Sequence, residues 1–532
     1  MVKTYFLSLL KDTPKRGYWD YGLLDDLLKG FEAHEVDTLQ KEEFAIVVIP
    51  ARSHFKLVKQ INKELSKLSS VLLFVMGDEE ASFPIDQIKH RNIHIWVQNP
   101  KPGINDKYRK LGCGYPQAIN NVDNLPEKSI DWFFSGQMTH SRRYSCINEL
   151  RKLDHGYMLT SSGFTQGLPQ DDYYNKMASA KVAPCPSGPV TVDTFRLFEA
   201  LELGCVPIAD NETPKDDWSA FWSWIFGEEP PFPRISEYTD IGGYIEDCVN
   251  KYPHLNNHVQ SWWLRYKVML KNRIFDDISE LTGKSARHNT TVIVPVSPIK
   301  SHPETHILEE TINSIRHHLP DSEIIITFDG VREEQEEMRE NYEEHIRRVL
   351  WKSRFWGNVT PFVLEEHLHQ SGMMRFVMDE IKTPLILYVE QDTPLVTDEL
   401  IEWEHLQNKI LSGDSNVIRL HHEGVMPEEH KSLMIGEVED KLLKTYQWSQ
   451  RPHLASKAFY RRMMSENFSN NANCFIEDLV HGKLQEAFIL DRKYGWDQWK
   501  VHIYIPNDKN IKRSYHTDGR EGGKKYDESQ KW

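Results

Sequence analysis

Paired cysteines, long apolar runs and net positive charge are all missing from this chain. The six cysteines, Cys113, Cys146, Cys185, Cys205, Cys248 and Cys474, include no C-x-x-C pair. This argues against a disulfide scaffold or a zinc site and points to a reduced, intracellular setting. No run of about 18 apolar residues occurs. The opening MVKTYFLSLLKDTPKRGYWD is too polar, and its apolar part too short, for a signal peptide or membrane anchor. Without a secretory signal, the N-x-S/T sequences at Asn211, Asn289, Asn358 and Asn467 read as chance matches. The net charge of −15 weighs against tight non-specific nucleic-acid binding without a concentrated basic patch. It leaves a phosphate-bearing substrate open, since such a site needs only a few placed cations. No internal repeat is evident, and REEQEEMRENYEEHIRR (332–348) reads as a solvated helix face.

The chain is long enough, at 532 residues, for two to four domains, and 39% hydrophobic and 11% aromatic residues suffice for packed cores. A polar stretch, GKSARHNT, precedes TVIVPVS, so a break is expected near residues 283–290. On each side of it strand patterns alternate with helical ones, which predicts α/β layering with parallel sheets.

The stretch LYVEQDTPL (387–395) is the most pointed. TPLILYVE reads as a short buried strand. Side chains alternate along a strand, so Glu390 and Asp392 are expected on one side with Gln391 opposite. Two acids so placed suit a divalent cation such as magnesium or manganese; a solvated acidic turn is the alternative. Upstream, TVIVPVSP, a helical ETHILEETINSIRHHLP and SEIIITFDG form a βαβ unit that ends in Asp329. An acid there lies at a strand's carboxyl end, where open α/β sheets bind ligands. No Gly-rich phosphate loop follows the first strand, which disfavours dinucleotide binding. Downstream come NCFIEDLVHGKL (473–484), with Glu477 and Asp478, and the polar cluster YHTDGR (515–520).

In the first half, KSIDWFFSGQMTHSRR (128–143) takes an apolar strand to Gly136 and then to Arg142 and Arg143. Glycine lets backbone approach a ligand, and paired arginines suit phosphate. YYNKMASAKVAPCPSG (173–188) and DTFRLFEALELGCVPIAD (193–210) follow. The second predicts a helix that stops at Gly204 and runs into a strand. Arg196 and Glu199, three apart, occupy neighbouring positions on one face of that helix.

VIVPVS, LEETINSI, ITFDG, VEQD and IEDLVHG, in that order over roughly residues 291–485, resemble a family-two-type glycosyltransferase of the GT-A fold. The resemblance implies that Asp329 contacts the nucleotide base or ribose. It implies that Glu390 and Asp392 hold the diphosphate through a manganese or magnesium ion, with His516 as a further metal ligand. Asp478 would be the general base and Glu477 its neighbour; Arg520, by charge, would meet a phosphate or the acceptor. Glu390 departs from the family, which more often has Asp there. The chemistry accounts for these residue types. A cation stabilises the charge that grows on the leaving diphosphate, and a hydroxyl acceptor needs a carboxylate within reach. A single base opposite the leaving group implies inversion.

The first half, clearest over residues 173–210, resembles an exostosin-type glycosyltransferase domain, which is GT-B-like with two facing Rossmann-like lobes. That resemblance implies that Arg196 and Arg142 or Arg143 meet the diphosphate beside Gly136, and that Glu199 meets the ribose. No metal is expected at that site, where side-chain cations and helix amino termini serve instead. Residues 1–125, with FAIVVIPAR and VLLFVMGDEE as strands, would be the acceptor lobe; 126–283 the donor lobe; 284–290 a linker; and 291–532 the GT-A domain. Such a fusion resembles the plan of heparan-type copolymerases, in which two sites add two sugars alternately. The expectation is a soluble, cytoplasmic hexosyl- or pentosyltransferase of bacterial or viral origin, with no integral membrane segment. It would take nucleotide-sugar donors and a glycan acceptor. A phage-type enzyme acting on hydroxymethylated cytosine in DNA is one alternative, against which the acidic charge weighs. A lectin-like scaffold with an inactive site is another, disfavoured by the intact E-x-D, E-D and R-x-x-E sets.

Overall fold

The computed structural model describes residues 2–10, 15–16, 18–163, 166–285, 288–398, 400–421, 428–469, 472–492, 494–506 and 513–517. It is mixed α/β and divides into two compact units, Met1–Ala286 and Arg287–Trp532.

The first unit is built on two all-parallel sheets. One has six strands in the order β2-β1-β3-β4-β5-β6, from β1 (Lys3–Leu7), β2 (Glu32–Val36), β3 (Glu42–Pro50), β4 (Leu68–Met76), β5 (Ile93–Gln98) and β6 (Arg109–Leu111). The other has five in the order β11-β10-β9-β7-β8, from β7 (Ile130–Gln137), β8 (Gly156–Ser161), β9 (Ala180–Cys185), β10 (Val206–Asp210) and β11 (Arg234–Ile235). Both are Rossmann-like lobes. Their central strands are apolar on both faces, as in VLLFVM of β4, because helices cover both sides of a parallel sheet. The carboxyl edges meet. Just past β6, the Cys113 N–H donates to Asp193 Oδ2 at 2.9 Å, and a Cβ on Gly112 would stand 2.4 Å from the Phe198 ring. Phe198 belongs to the helix Phe195–Glu202, which ends where Gly204 takes φ +69° and lets the chain turn into β10.

The long helix His254–Thr282 ties the two lobes together. Asp277, fully buried, accepts from Trp96 Nε1 (2.8 Å), His94 Nδ1 (2.8 Å) and Arg109 Nη2 (3.0 Å) on β5 and β6. Towards the other lobe, Glu202 accepts from Trp263 Nε1 (2.8 Å) and Lys267 Nζ (2.7 Å) on the same helix. Removing Asp277 leaves the buried Trp96 N–H without its acceptor, which costs about 1–3 kcal/mol, while the part-exposed Arg109 and His94 can turn to water. Asp277→Ala is therefore expected to destabilise the first unit by that amount, read as a lower midpoint in urea denaturation. An unchanged midpoint would show that the helix holds by apolar packing alone.

The second unit has one nine-stranded sheet in the order β14-β13-β12-β15-β19-β16-β20-β18-β17. Its strands are β12 (Thr290–Val296), β13 (Ile324–Phe328), β14 (Val359–Val363), β15 (Leu385–Tyr388), β16 (Val417–Leu420), β17 (Met434–Glu439), β18 (Leu442–Thr445), β19 (His453–Ser456) and β20 (Val501–Tyr504). The first four are parallel neighbours, so their carboxyl ends share one edge; β19 then enters antiparallel between β15 and β16. No described helix is long and apolar enough to cross a membrane.

Candidate functional site

In the second unit the acids gather at the carboxyl edge of β12, β13 and β15. β15 stops at Tyr388, earlier than TPLILYVE suggests. Thr393 closes a turn there: its Oγ1 accepts from the Glu390 N–H at 3.0 Å, and its N–H donates to the Glu390 carbonyl at 3.1 Å. Glu390 and Asp392 thus sit on a turn instead of alternating along a strand, and their side chains find different partners. Glu390 Oε1 accepts from Gln370 Nε2 at 2.9 Å. Asp392 Oδ2 lies 3.6 Å from Nδ1 of the buried His516.

His516 arrives through backbone pairing. The Val396 N–H donates to the Arg513 carbonyl (3.1 Å), Tyr515 to Pro394 (3.1 Å) and Thr517 to Asp392 (3.0 Å). One carboxylate and one imidazole thereby face each other at the acidic turn; of the two, the carboxylate is the donor type that suits manganese or magnesium. Glu390 does not close with them into a tight three-donor cluster among the described residues. Arg520 lies outside the described residues.

Gln370 carries no signal in the sequence, yet it connects the site. It is buried; its Nε2 holds Glu390 and its Oε1 accepts from the Ile476 N–H at 2.8 Å. Next to it, Ser371 Oγ donates to the Ala472 carbonyl at 2.7 Å and accepts from the Cys474 N–H at 3.1 Å. These bonds start the helix Ile476–Leu490 beside the acidic turn, with Glu477 and Asp478 in its first turn. Glu477 Oε2 accepts from the Gln450 N–H at 3.0 Å. Its charge also supports Arg419, whose guanidinium burial pulls down to about 10. Asp478 is exposed and has no hydrogen bond or ion pair within the described residues.

Asp329, at the end of β13, is buried with both oxygens occupied. Oδ1 accepts from the N–H groups of Gly330 (3.0 Å) and Leu368 (2.7 Å); Oδ2 accepts from His369 (3.0 Å) and pairs with His367 Nδ1 (2.8 Å). Burial raises its pKa, while the Leu368 N–H and the His367 charge oppose the rise. The carboxylate shapes the backbone that leads to Gln370.

In the first unit the cations gather around the end of β7. Arg196 Nη2 donates to the Ser135 carbonyl at 2.5 Å, and its guanidinium lies 4.6 Å from the Phe134 ring centre. A Cβ on Gly136 would come within 2.3 Å of that Nη2, so glycine here makes room for Arg196 itself. Among the described residues Arg143 donates only to carbonyls, Ser187 at 3.2 Å and Gln137 at 3.4 Å. Burial and then the charge of Arg196 lower its pKa to about 10. Arg142 is different. It donates to the fully buried Asp210 (Nη2 to Oδ1, 2.5 Å) and to Glu212 (3.2 Å), so two carboxylates match its charge. Glu199 accepts from the hydroxyls of Tyr173 (2.9 Å) and Tyr174 (3.4 Å), and burial raises its pKa.

Several buried polar atoms around this arginine pair have no hydrogen-bond partner among the described residues: Arg196 Nε, Ser187 Oγ, Thr194 Oγ1, His140 Nδ1 and Asp193 Oδ1. Ser187 and Thr194 flank the amino end of the helix Phe195–Glu202, where N–H groups and the helix dipole favour an anion. Asp193 is buried enough for its pKa to rise to about 7 against the pull of the Cys113 N–H.

No family model matches this chain, and no curated protein matches it. Among solved structures, residues 1–349 of S. aureus TarS align at 14% identity and TM-score 0.29, over 44% of this chain and 61% of that one. The same protein in complex with UDP-GlcNAc aligns at 12% identity and TM-score 0.29, over 46% and 62%. The mannosyltransferase PcManGT from Pyrobaculum calidifontis, in complex with GDP-Man and Mn2+, aligns at 12% identity and TM-score 0.30, over 45% and 59%. The chain thus spans less than two thirds of the length of each.

Proposed function

We propose that the chain is a glycosyltransferase with two sites, each taking a nucleotide-sugar donor and serving a glycan acceptor. The second unit would work in the GT-A manner, metal-dependent and inverting. The first would work in the GT-B manner without metal, residues 1–125 receiving the acceptor and 126–283 the donor. The observation that carries this reading is the Asp392–His516 pair at the edge of a parallel sheet, with the unengaged Asp478 held beside it through Gln370.

Asp392 and His516 would hold the ion, with Glu390 completing the acidic turn. When bound, a divalent ion supplies charge stabilisation for the departing diphosphate. Asp478 takes the proton of the acceptor hydroxyl as that oxygen attacks the anomeric carbon, and attack opposite the leaving group inverts the configuration. Glu477 fixes the helix start through Gln450. Asp329 holds the backbone that faces the donor's nucleoside end. In the first unit Arg143 and Arg196 bind the diphosphate, since neither has a carboxylate hydrogen-bonded to its guanidinium among the described residues. Arg142 anchors Asp210, which also accepts from the Ser187 N–H at 3.1 Å and so holds the turn beneath the ligand.

Calorimetry tests the reading with UDP-GlcNAc and GDP-mannose as probes on the full chain. Binding at the first-unit site should survive EDTA. Arg196→Ala should weaken that EDTA-resistant binding by about 2–4 kcal/mol, the value of a charged contact to a desolvated phosphate. Unchanged affinity would leave Arg196 as a packing residue over Phe134.

A further inference from the structure

Phe475 stands just before the helix Ile476–Leu490, and it is 53% exposed. A single exposed aromatic is ordinary. This one is fixed in place. The Ser371 N–H donates to the Cys474 carbonyl (3.1 Å), the Cys474 N–H to Ser371 Oγ (3.1 Å) and the Ile476 N–H to Gln370 Oε1 (2.8 Å), so the backbone is pinned on both sides of it. Asn473 Nδ2 adds a bond to the His367 carbonyl at 3.2 Å. The ring is propped as well. The His369 ring lies 4.4 Å away, centre to centre, at 88°. Two rings at right angles meet edge to face, so His369 covers at most one broad face of Phe475. His369 is itself held at φ +55°, in the left-handed region: its N–H donates to Asp329 Oδ2 (3.0 Å) and its Nδ1 accepts from the Gln370 N–H (2.9 Å).

Phe475 and Asp478 are the cap and the third residue of one helix, positions that neighbour each other on its surface. Both are exposed, and Asp478 has no hydrogen bond or ion pair among the described residues. Gln370, which pins Ile476, also holds Glu390 on the acidic turn. A flat apolar face thus stands beside an open carboxylate next to that turn. A pyranose matches this pair, since its ring C–H groups make an apolar face and its hydroxyls donate to a carboxylate. The open carboxylate and the net charge of −15 disfavour an anionic occupant such as a DNA strand.

We infer that Phe475 is the platform on which the acceptor's terminal pyranose stacks, bringing a hydroxyl to Asp478; this rests on the reading of the second-unit site as a glycosyl-transfer centre. A ring already fixed by its backbone and by His369 has little freedom to lose when a sugar lands on it, so little of the contact is offset by ordering.

The test uses the full chain with manganese, UDP and GDP, and titrates cellobiose, N,N′-diacetylchitobiose and mannobiose by ligand-observed NMR. Wild type should bind at least one of the three. Phe475→Ala should weaken that binding about 10- to 100-fold. Phe475→Leu, which restores bulk without a flat face, should weaken it comparably, and Phe475→Tyr should keep it. No binding by wild type overturns the platform. So does binding that survives in Phe475→Ala or Phe475→Leu, or that Phe475→Tyr loses. A single-stranded oligodeoxynucleotide bound in place of the sugars overturns it as well. Manganese-dependent release of nucleoside diphosphate by wild type tests the underlying reading separately. Release without any sugar bound sinks the platform alone, whereas no release sinks the reading of the second-unit site, and the platform's part in transfer falls with it.

Discussion

Asp478→Asn is expected to slow sugar transfer at the second-unit site by about 100- to 10,000-fold with donor affinity unchanged. Asn keeps the shape of Asp and its capacity to accept a hydrogen bond, but it cannot take a proton. The affinity should hold because the groups assigned to the donor, Asp392, His516 and Asp329, do not touch Asp478 in the structure. The fold should hold as well, since Asp478 is exposed and the helix start is fixed by Gln370 and by Glu477 through Gln450. The readouts are turnover with manganese present, donor titration into the variant, and the anomeric configuration of the wild-type product by NMR. Normal turnover, or a retained configuration, would make Asp478 an ordinary helical carboxylate.

Asp392→Asn is expected to remove metal-dependent turnover, a loss of about 1,000-fold, the scale on which electrostatic stabilisation of a leaving group acts. The amide has no charge to offer a cation. The backbone contribution of residue 392 survives, because the Thr517 N–H bonds its carbonyl and not its side chain. The loss should therefore be confined to manganese-dependent turnover and manganese affinity, and release in EDTA should match wild type. Full manganese-dependent activity in the variant would move the ion away from the Asp392–His516 pair.

The strands that build both sites were readable from local pattern. TVIVPVS, SEIIITFDG, FAIVVIPAR and VLLFVMGDEE are short apolar runs, and they form β12, β13, β3 and β4. The helix around Arg196 was equally plain, with Gly204 marking its end. What decides the sites is of another kind. Gln370 joins Glu390 to Ile476 through a neutral amide, a residue type without chemistry of its own. Arg142 and Arg143 are adjacent in sequence, yet among the described residues one is matched by Asp210 and Glu212 and the other donates to carbonyls alone. That difference depends on a carboxylate 68 residues away, and no spacing rule reaches it. Gly136 read as a place for close ligand approach, but the atom approaching it is Arg196 Nη2. His516 likewise meets Asp392 only because residues 513–517 pair with 392–396.

The most direct measurement is release of nucleoside diphosphate from UDP-GlcNAc, UDP-glucose and GDP-mannose by the full chain, with manganese and again with EDTA. Two sites of the kind described predict release from at least one donor in manganese, a part of it surviving EDTA. No release from any donor under either condition would contradict glycosyl transfer as the activity of this chain.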